Sequence, residues 1–230
     1  MTISSLYTWC GGVAVAGALL VAPPPALAQN GSVAGVWAIT VTSPEGPASA
    51  RLALADENGR LSGLIAGDRG SYPVHGTRAE DTLTLNFTIR YDGAPLPITL
   101  TAKPAADSLT GDVNFGGQDT GTWKAQRTAG GGVDGAWTFS ATDAGGTPRT
   151  GVLTLLDSNG TVNGRLVVRS HGVDGAVKGT RVDNALKLTV DAHVDGSPVT
   201  IDLPGSVDGK SLKGTFSVAD LSGTWTASPQ

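Results

Sequence analysis

Apolar and polar residues alternate without a break along TLTLNFTIRY (82–91). Leu83, Leu85, Phe87, Ile89 and Tyr91 share one side; Thr82, Thr84, Asn86, Thr88 and Arg90 share the other. A period of two is the signature of a β-strand with one dry and one wet face. ALKLTVDAHV (185–194) repeats the pattern with Leu186, Leu188, Val190, Ala192 and Val194, which leaves His193 on the polar, exposed side. The next strands, PLPITL and PVTIDL, follow Asp92-Gly93 and Asp195-Gly196, dipeptides that tolerate the positive φ angles of tight hairpins. Runs between such turns give about eight short strands in each half of the chain, nearly all in hairpin order, and no helical period interrupts them.

The two halves repeat one another. Gly35 of GVW matches Gly135 of GAW, Gly59 of DENG matches Gly160 of DSNG, and Gly93 of YDGAP matches Gly196 of VDGSP. SLTG and SLKG pair Gly111 with Gly214, and GTW recurs at Trp123 and Trp225. The offset stays between 100 and 103 residues throughout, which indicates an internal duplication. The expected layout is a leader over 1–28, a first barrel over 29–128, a glycine-rich linker over 129–133 and a second barrel over 134–230.

Composition adds the compartment. No charged side chain precedes Glu45, and GGVAVAGALLVA (11–22) is an apolar run followed by PPP and ALA. That reads as a cleavable export signal ending at Ala28, although MTISSLYTWC lacks the usual Lys or Arg. The run is short of the ~20 residues of a membrane helix. Cys10, the single cysteine, precedes the apolar run, which argues against a lipid anchor there. Without the leader no cysteine remains, so stability must come from packing and hydrogen bonding. The expected location is periplasmic or secreted. The formal charge of −4 is scattered, with no basic stripe, which argues against nucleic acid.

Eight antiparallel strands with one apolar face remove their edges by closing into an up-and-down barrel. The fold expected is therefore all-β: two tandem homologous eight-stranded antiparallel meander barrels. First and last strands become neighbours on closure, so the pairs Trp37/Trp123 and Trp137/Trp225 are expected to plug the barrel ends as closure devices. The Gly-x-Trp opening, the Gly-Thr-Trp strands and the NG-type turns resemble the calycin group, the lipocalins and avidins. They also look like the small lipocalin-like modules found beside secreted bacterial hydrolases. The resemblance implies binding of a small apolar molecule inside a barrel. Each copy is shorter than a typical lipocalin, and the tryptophans that box biotin in avidins have no counterpart here.

The candidates for chemistry are few. His75, His171 and His193 are not duplicated, and no HxxxH or HExxH occurs, so no metal or other cofactor is expected. No GxSxG is present, and nothing in the sequence sets a serine beside a base and a third group. Asp56, Asp157, Asp92 and Asp195 form matched pairs that suggest a two-carboxylate hydrolase, but each lies at an Asn-Gly or Asp-Gly turn and hairpin chemistry explains it first. The duplicated GTR offers Arg78 and Arg181, either stacked on a closing tryptophan or solvated beyond a turn. A membrane-spanning barrel needs aromatic girdles, for which 5% aromatics are too few.

The expectation is an exported binding protein without enzymatic activity, taking a small apolar or amphipathic molecule. Its lining would come from Phe87, Ile89, Tyr91, Ile98 and Phe115 in the first copy and from Val190, Ile201 and Phe216 in the second. These residues would equally make a filled core. The alternative is an accessory module that binds protein or carbohydrate through its outer surface. A lumen void of several hundred Å³ favours the carrier; a packed interior leaves the surface.

Overall fold

A computed structural model describes residues 32–117, 119–194 and 196–230. The expected leader (1–28) and Asp195 lie outside the described residues. The first barrel comprises β1 (Gly35–Ser43), β2 (Gly46–Glu57), β3 (Arg60–Gly67), β4 (Gly70–Ala79), β5 (Thr82–Tyr91), β6 (Ala94–Pro104), β7 (Ser108–Phe115) and β8 (Asp119–Thr128). The second comprises β9 (Gly135–Asp143), β10 (Pro148–Ser158), β11 (Thr161–Val168), β12 (Val173–Val182), β13 (Ala185–Val194), β14 (Ser197–Asp208), β15 (Ser211–Val218) and β16 (Leu221–Pro229). Each strand pairs with the next, and β8 returns to β1 as β16 returns to β9. These are two closed eight-stranded antiparallel meander barrels in tandem. Near His171 the second copy is two residues longer than the first, and the chain there forms a single 3-10 turn, Arg169–His171, ended by Gly172 in the left-handed region.

Hairpin chemistry fixes the register. Asn58 and Gly59 at the β2–β3 turn have φ of 54° and 84°, and Asp92 and Gly93 at β5–β6 have 48° and 80°. Both central residues positive is the arrangement whose twist suits tight hairpins. The inward faces of the first barrel then form one cluster that includes Trp37, Leu52, Leu54, Leu83, Leu85, Leu100, Leu109 and Trp123, all within 2% of complete burial. The second barrel is filled in the same way around Trp137, Phe139, Leu153, Leu188 and Trp225. Phe139 and Trp225 stack with ring centroids 5.9 Å apart.

Trp37 and Trp137 sit at the ends where their barrels begin. Each indole N–H donates to the carbonyl of a valine four residues earlier, Val33 (3.0 Å) and Val133 (3.1 Å). Those valines are buried to 2% and 0% exposure and stop the barrel ends. The repeated unit is therefore V-x-G-x-W. Val133, assigned from sequence to the linker over 129–133, belongs to the core of the second barrel. Trp123 and Trp225 lie farther in, with indole N–H groups donating to Thr101 O (2.9 Å) and Pro204 O (3.2 Å). Strand neighbours they are, but Trp123 stands across from Val41, not Trp37.

One departure from simple alternation organises the molecule. Leu52–Ala55, Leu61–Ile65 and Gly151–Leu156 are buried continuously, because β2, β3 and β10 are covered on both faces. Their outer residues form two small clusters between the barrels: Ala34, Ala55, Ala136, Val152 and Val167, and Val36, Ala53, Leu64 and Leu156. Strands meet their own counterparts there, β1 against β9, β2 against β10 and β3 against β11, much as in a two-fold homodimer. Alanines bring the backbones close. Arg51 reaches across to Asp157 O (2.9 Å) and the Asp134 carboxylate, Arg165 to Val74 O (2.8 Å), and Arg169 to Glu57 (2.8 Å).

Candidate functional site

The residues proposed from sequence to line a ligand fall into two groups. Ile98, Val190, Phe216 and Phe87 are buried in the lumen cores at 3%, 0%, 6% and 8% exposure. They pack against neighbouring core side chains as a folded interior requires. Ile89, Phe115 and Ile201 are half-buried and pack at the edge of those cores, joined in the first barrel by Val41, Tyr72 and Leu96. This edge is the mouth of the first barrel, opposite the valine stopper.

Tyr91 is at the rim of that mouth. Its hydroxyl hydrogen-bonds the Glu45 carboxylate, and the Arg69 guanidinium lies 5.8 Å from its ring centre. The bond to Glu45 and that carboxylate's charge hold the phenol above its ordinary titration range. The rim is polar and the residues beneath it apolar.

The two arginines of GTR do not stack on tryptophan. Arg78 Nε donates to Asp56 Oδ2 at 3.0 Å, and Arg181 Nε to Asp157 Oδ2 at 2.5 Å. The other oxygen of each aspartate accepts the turn glycine N–H, Gly59 or Gly160, at 2.7 Å. Neither arginine is simply solvated. Both pairs tie a hairpin to the next strand, so the duplicated aspartates and arginines serve the turn. The guanidinium that does stack is Arg127, 4.3 Å from the centre of the Trp37 ring, with Nη atoms donating to Ala34 O (2.5 Å) and Ser32 O (2.8 Å). Nothing in the repeat pattern pointed to Arg127, because Pro229 takes the equivalent place in the second copy.

His75, His171 and His193 are all exposed. The Ser170 hydroxyl lies 2.8 Å from His171 Nδ1 on the 3-10 turn, with no carboxylate hydrogen-bonded to that ring among the described residues. No group of three or more metal-ligating side chains is gathered among the described residues.

Two openings lie outside the lumens, where the barrels meet. Two clefts of about 410 Å³ each flank the contact. One is walled by Arg60, Ser62, His75, Thr77 and Asn86 of the first barrel and by Arg165, Arg169 and Asp174 of the second. The other has Leu64, Ser71 and Pro73 facing Asn163, Arg165, Asp174 and Lys178. The clefts are related through the duplication: Ser62 and His75 in the first correspond to Asn163 and Lys178 in the second. The sequence signal for this contact was VLTLL (152–156), where Thr154 is the one polar residue and no regular wet face is offered.

Fold and surface together define a class: paired small meander barrels with filled lumens and outer clefts. No protein-family model matches the chain, and no curated protein matches it. Among solved structures, the chain is similar to a crystal structure from Bacteroides fragilis named as a "putative outer membrane protein". The identity is 14%, covering 85% of this chain and 97% of that one, with a TM-score of 0.31. At that score the likeness carries no argument about activity or location.

Proposed function

We propose that this is an exported, non-catalytic binding protein that engages its ligand on the outer surface of the paired barrels. The observation that supports it is the contrast between lumens filled by core side chains and clefts of about 410 Å³ at the barrel contact. Small-molecule sites fall in the range of roughly 300–1,000 Å³ and favour junctions between domains. Asp56 and Asp157 are taken up in turn-bracing pairs with Arg78 and Arg181, which leaves neither of these carboxylates free for acid–base chemistry. Exposed strand faces are polar while lumens are apolar, the reverse of a membrane-spanning barrel. Export itself rests on the apolar run and ALA before Gln29.

A second reading keeps the sequence-based carrier, with a small apolar molecule capping the first barrel at Ile89, Leu96, Phe115 and Tyr72. The half-burial of these residues favours it. Native mass spectrometry of detergent-free protein, before and after incubation with a lipid and pigment extract, separates the readings. A clean mass throughout supports the surface reading. A stoichiometric apolar adduct, lost on substituting Phe115 or Ile89 with a charged residue, overturns it in favour of the mouth.

A further inference from the structure

The two clefts began as equals under the duplication, yet Arg60 and Arg169 line only one of them, while Arg165 stands between the two. Arg60, Arg165 and Arg169 have Thr161, Leu64 and Asp68 as their counterparts at the repeat offset of 101. In a chain of net charge −4, this gathering of cations stands apart from the scattered charge elsewhere. Arg165 is committed: it forks onto Asp174 at 2.7 and 2.6 Å and donates to Val74 O. Arg169 uses Nε on Glu57, and its two terminal nitrogens make no hydrogen bond among the described residues. Arg60 makes no ion pair among the described residues and stands exposed at the cleft edge.

The floor of the cleft is a polar grid set by strand register. Ser62 pairs with His75 and His75 with Asn86, and Arg60 pairs with Thr77 in the adjacent row on the same outer face. Directly paired side chains stand about 4.5–5.5 Å apart, close enough to share one small ligand. The Ser62 residue is 3% exposed, and its hydroxyl has no hydrogen-bond partner among the described residues. A buried polar group without a partner is rare in folded proteins and requires an explanation.

We propose that this cleft binds a monosaccharide-sized polyol carrying an oxyanion, a phosphate or a carboxylate. Arg60 and Arg169 take the oxyanion through charge-assisted hydrogen bonds. Ser62, His75, Thr77 and Asn86 supply the neutral donors and acceptors that hydroxyl groups need. Polar side chains make up most of the wall, which suits a hydroxylated ligand over an apolar one. The inference rests on the surface-binding reading above and specifies its ligand class.

The test is titration of the full two-barrel chain with glucose 6-phosphate, glucuronate, glucose and inorganic phosphate, followed by amide chemical shifts and calorimetry. The expected result is shifts confined to 60–62, 75–77, 86 and 165–169, with at least one anionic sugar bound ten-fold or more tighter than glucose. Which anionic sugar binds distinguishes phosphate from carboxylate, and phosphate alone should shift the same residues more weakly. Arg60→Gln should weaken binding about ten-fold, while Lys178→Gln in the twin cleft leaves it unchanged. Glucose bound in this cleft as tightly as the anions, and indifferent to Arg60→Gln, overturns the oxyanion assignment but leaves surface binding standing. No shift in the cleft with any probe overturns the assignment too. A lipid that instead shifts the indole N–H signals of Trp37 and Trp123 overturns both.

Discussion

Arg127 does at one end of the first barrel what was one of two roles open to Arg78 from the sequence. It covers Trp37 and ties the incoming strand through Ala34 and Ser32. A cation–π contact with partial desolvation contributes about 0.5–2 kcal/mol, and each charge-assisted hydrogen bond about 1.5–3 kcal/mol when buried. Arg127→Ala is therefore expected to cost about 2–3 kcal/mol in denaturant unfolding, whereas exposed Arg90→Ala should cost well under 1 kcal/mol. Arg78→Ala strands the Asp56 carboxylate, which is 5% exposed. Its cost should be about 1–3 kcal/mol, below that of a fully buried pair because Arg78 itself is partly solvated. Asp56→Asn combined with Arg78→Ala should recover part of that loss, since no charge is then left without a partner.

Asp143, in the β9–β10 turn, offers a pH readout. The Arg149 guanidinium, 2.6 Å away, holds its carboxyl below the usual aspartate range, helped by the Thr147 and Gly145 amides and opposed by desolvation. The folded value is below the unfolded one, so the stabilisation is present above about pH 4. It is lost as pH falls through the folded value. Arg149→Ala should raise the Asp143 midpoint in a carboxyl NMR titration and reduce the loss of stability on acidification. An unchanged midpoint would refute the ion pair.

Among the strands, the repeat marks the places where backbone meets backbone. A Cβ on Gly111 would come within 2.7 Å of Ala102 Cα, and one on Gly214 within 2.6 Å of Gly205 Cα. Small barrels coil tightly, and glycine allows that close crossing. SLTG and SLKG keep their glycines for this reason. Gly111→Ala is expected to destabilise by about 1–3 kcal/mol, the range of overpacking, measured by urea unfolding against Gly131→Ala, where a Cβ meets nothing within 4 Å. Strand number, order and turn positions were legible because a period of two and Asn-Gly or Asp-Gly pairs act over a few residues. The valine of V-x-G-x-W was less visible: its role depends on an indole folding back over four residues.

At the scale of the molecule, the paired barrels act as one body. Burying Leu156 between them contributes roughly 1.5–3 kcal/mol, and the Arg51 and Arg165 bonds cross the same contact. Unfolding should therefore be a single transition reported alike by probes in either barrel. Leu156→Glu puts a charge into that contact, and the expected outcome is two separable transitions with faster proteolysis around residues 129–132. A single unchanged transition would mean that the contact adds little.

The sequence by itself determined the duplication, the all-β class, the meander order and the inward faces, because each depends on neighbours within a hairpin or on a repeated spacing. It also carried the turn-bracing aspartates, though not their arginine partners. Tertiary structure decided that the lumens are filled, that Arg127 and not Arg78 covers a tryptophan, and that both faces of β2, β3 and β10 are dry. It alone brought Arg60 and Ser62 beside Arg169, more than a hundred residues away in the chain. Side chains that meet across two closed surfaces share no period and no spacing, so only the packing of one barrel on the other places them together.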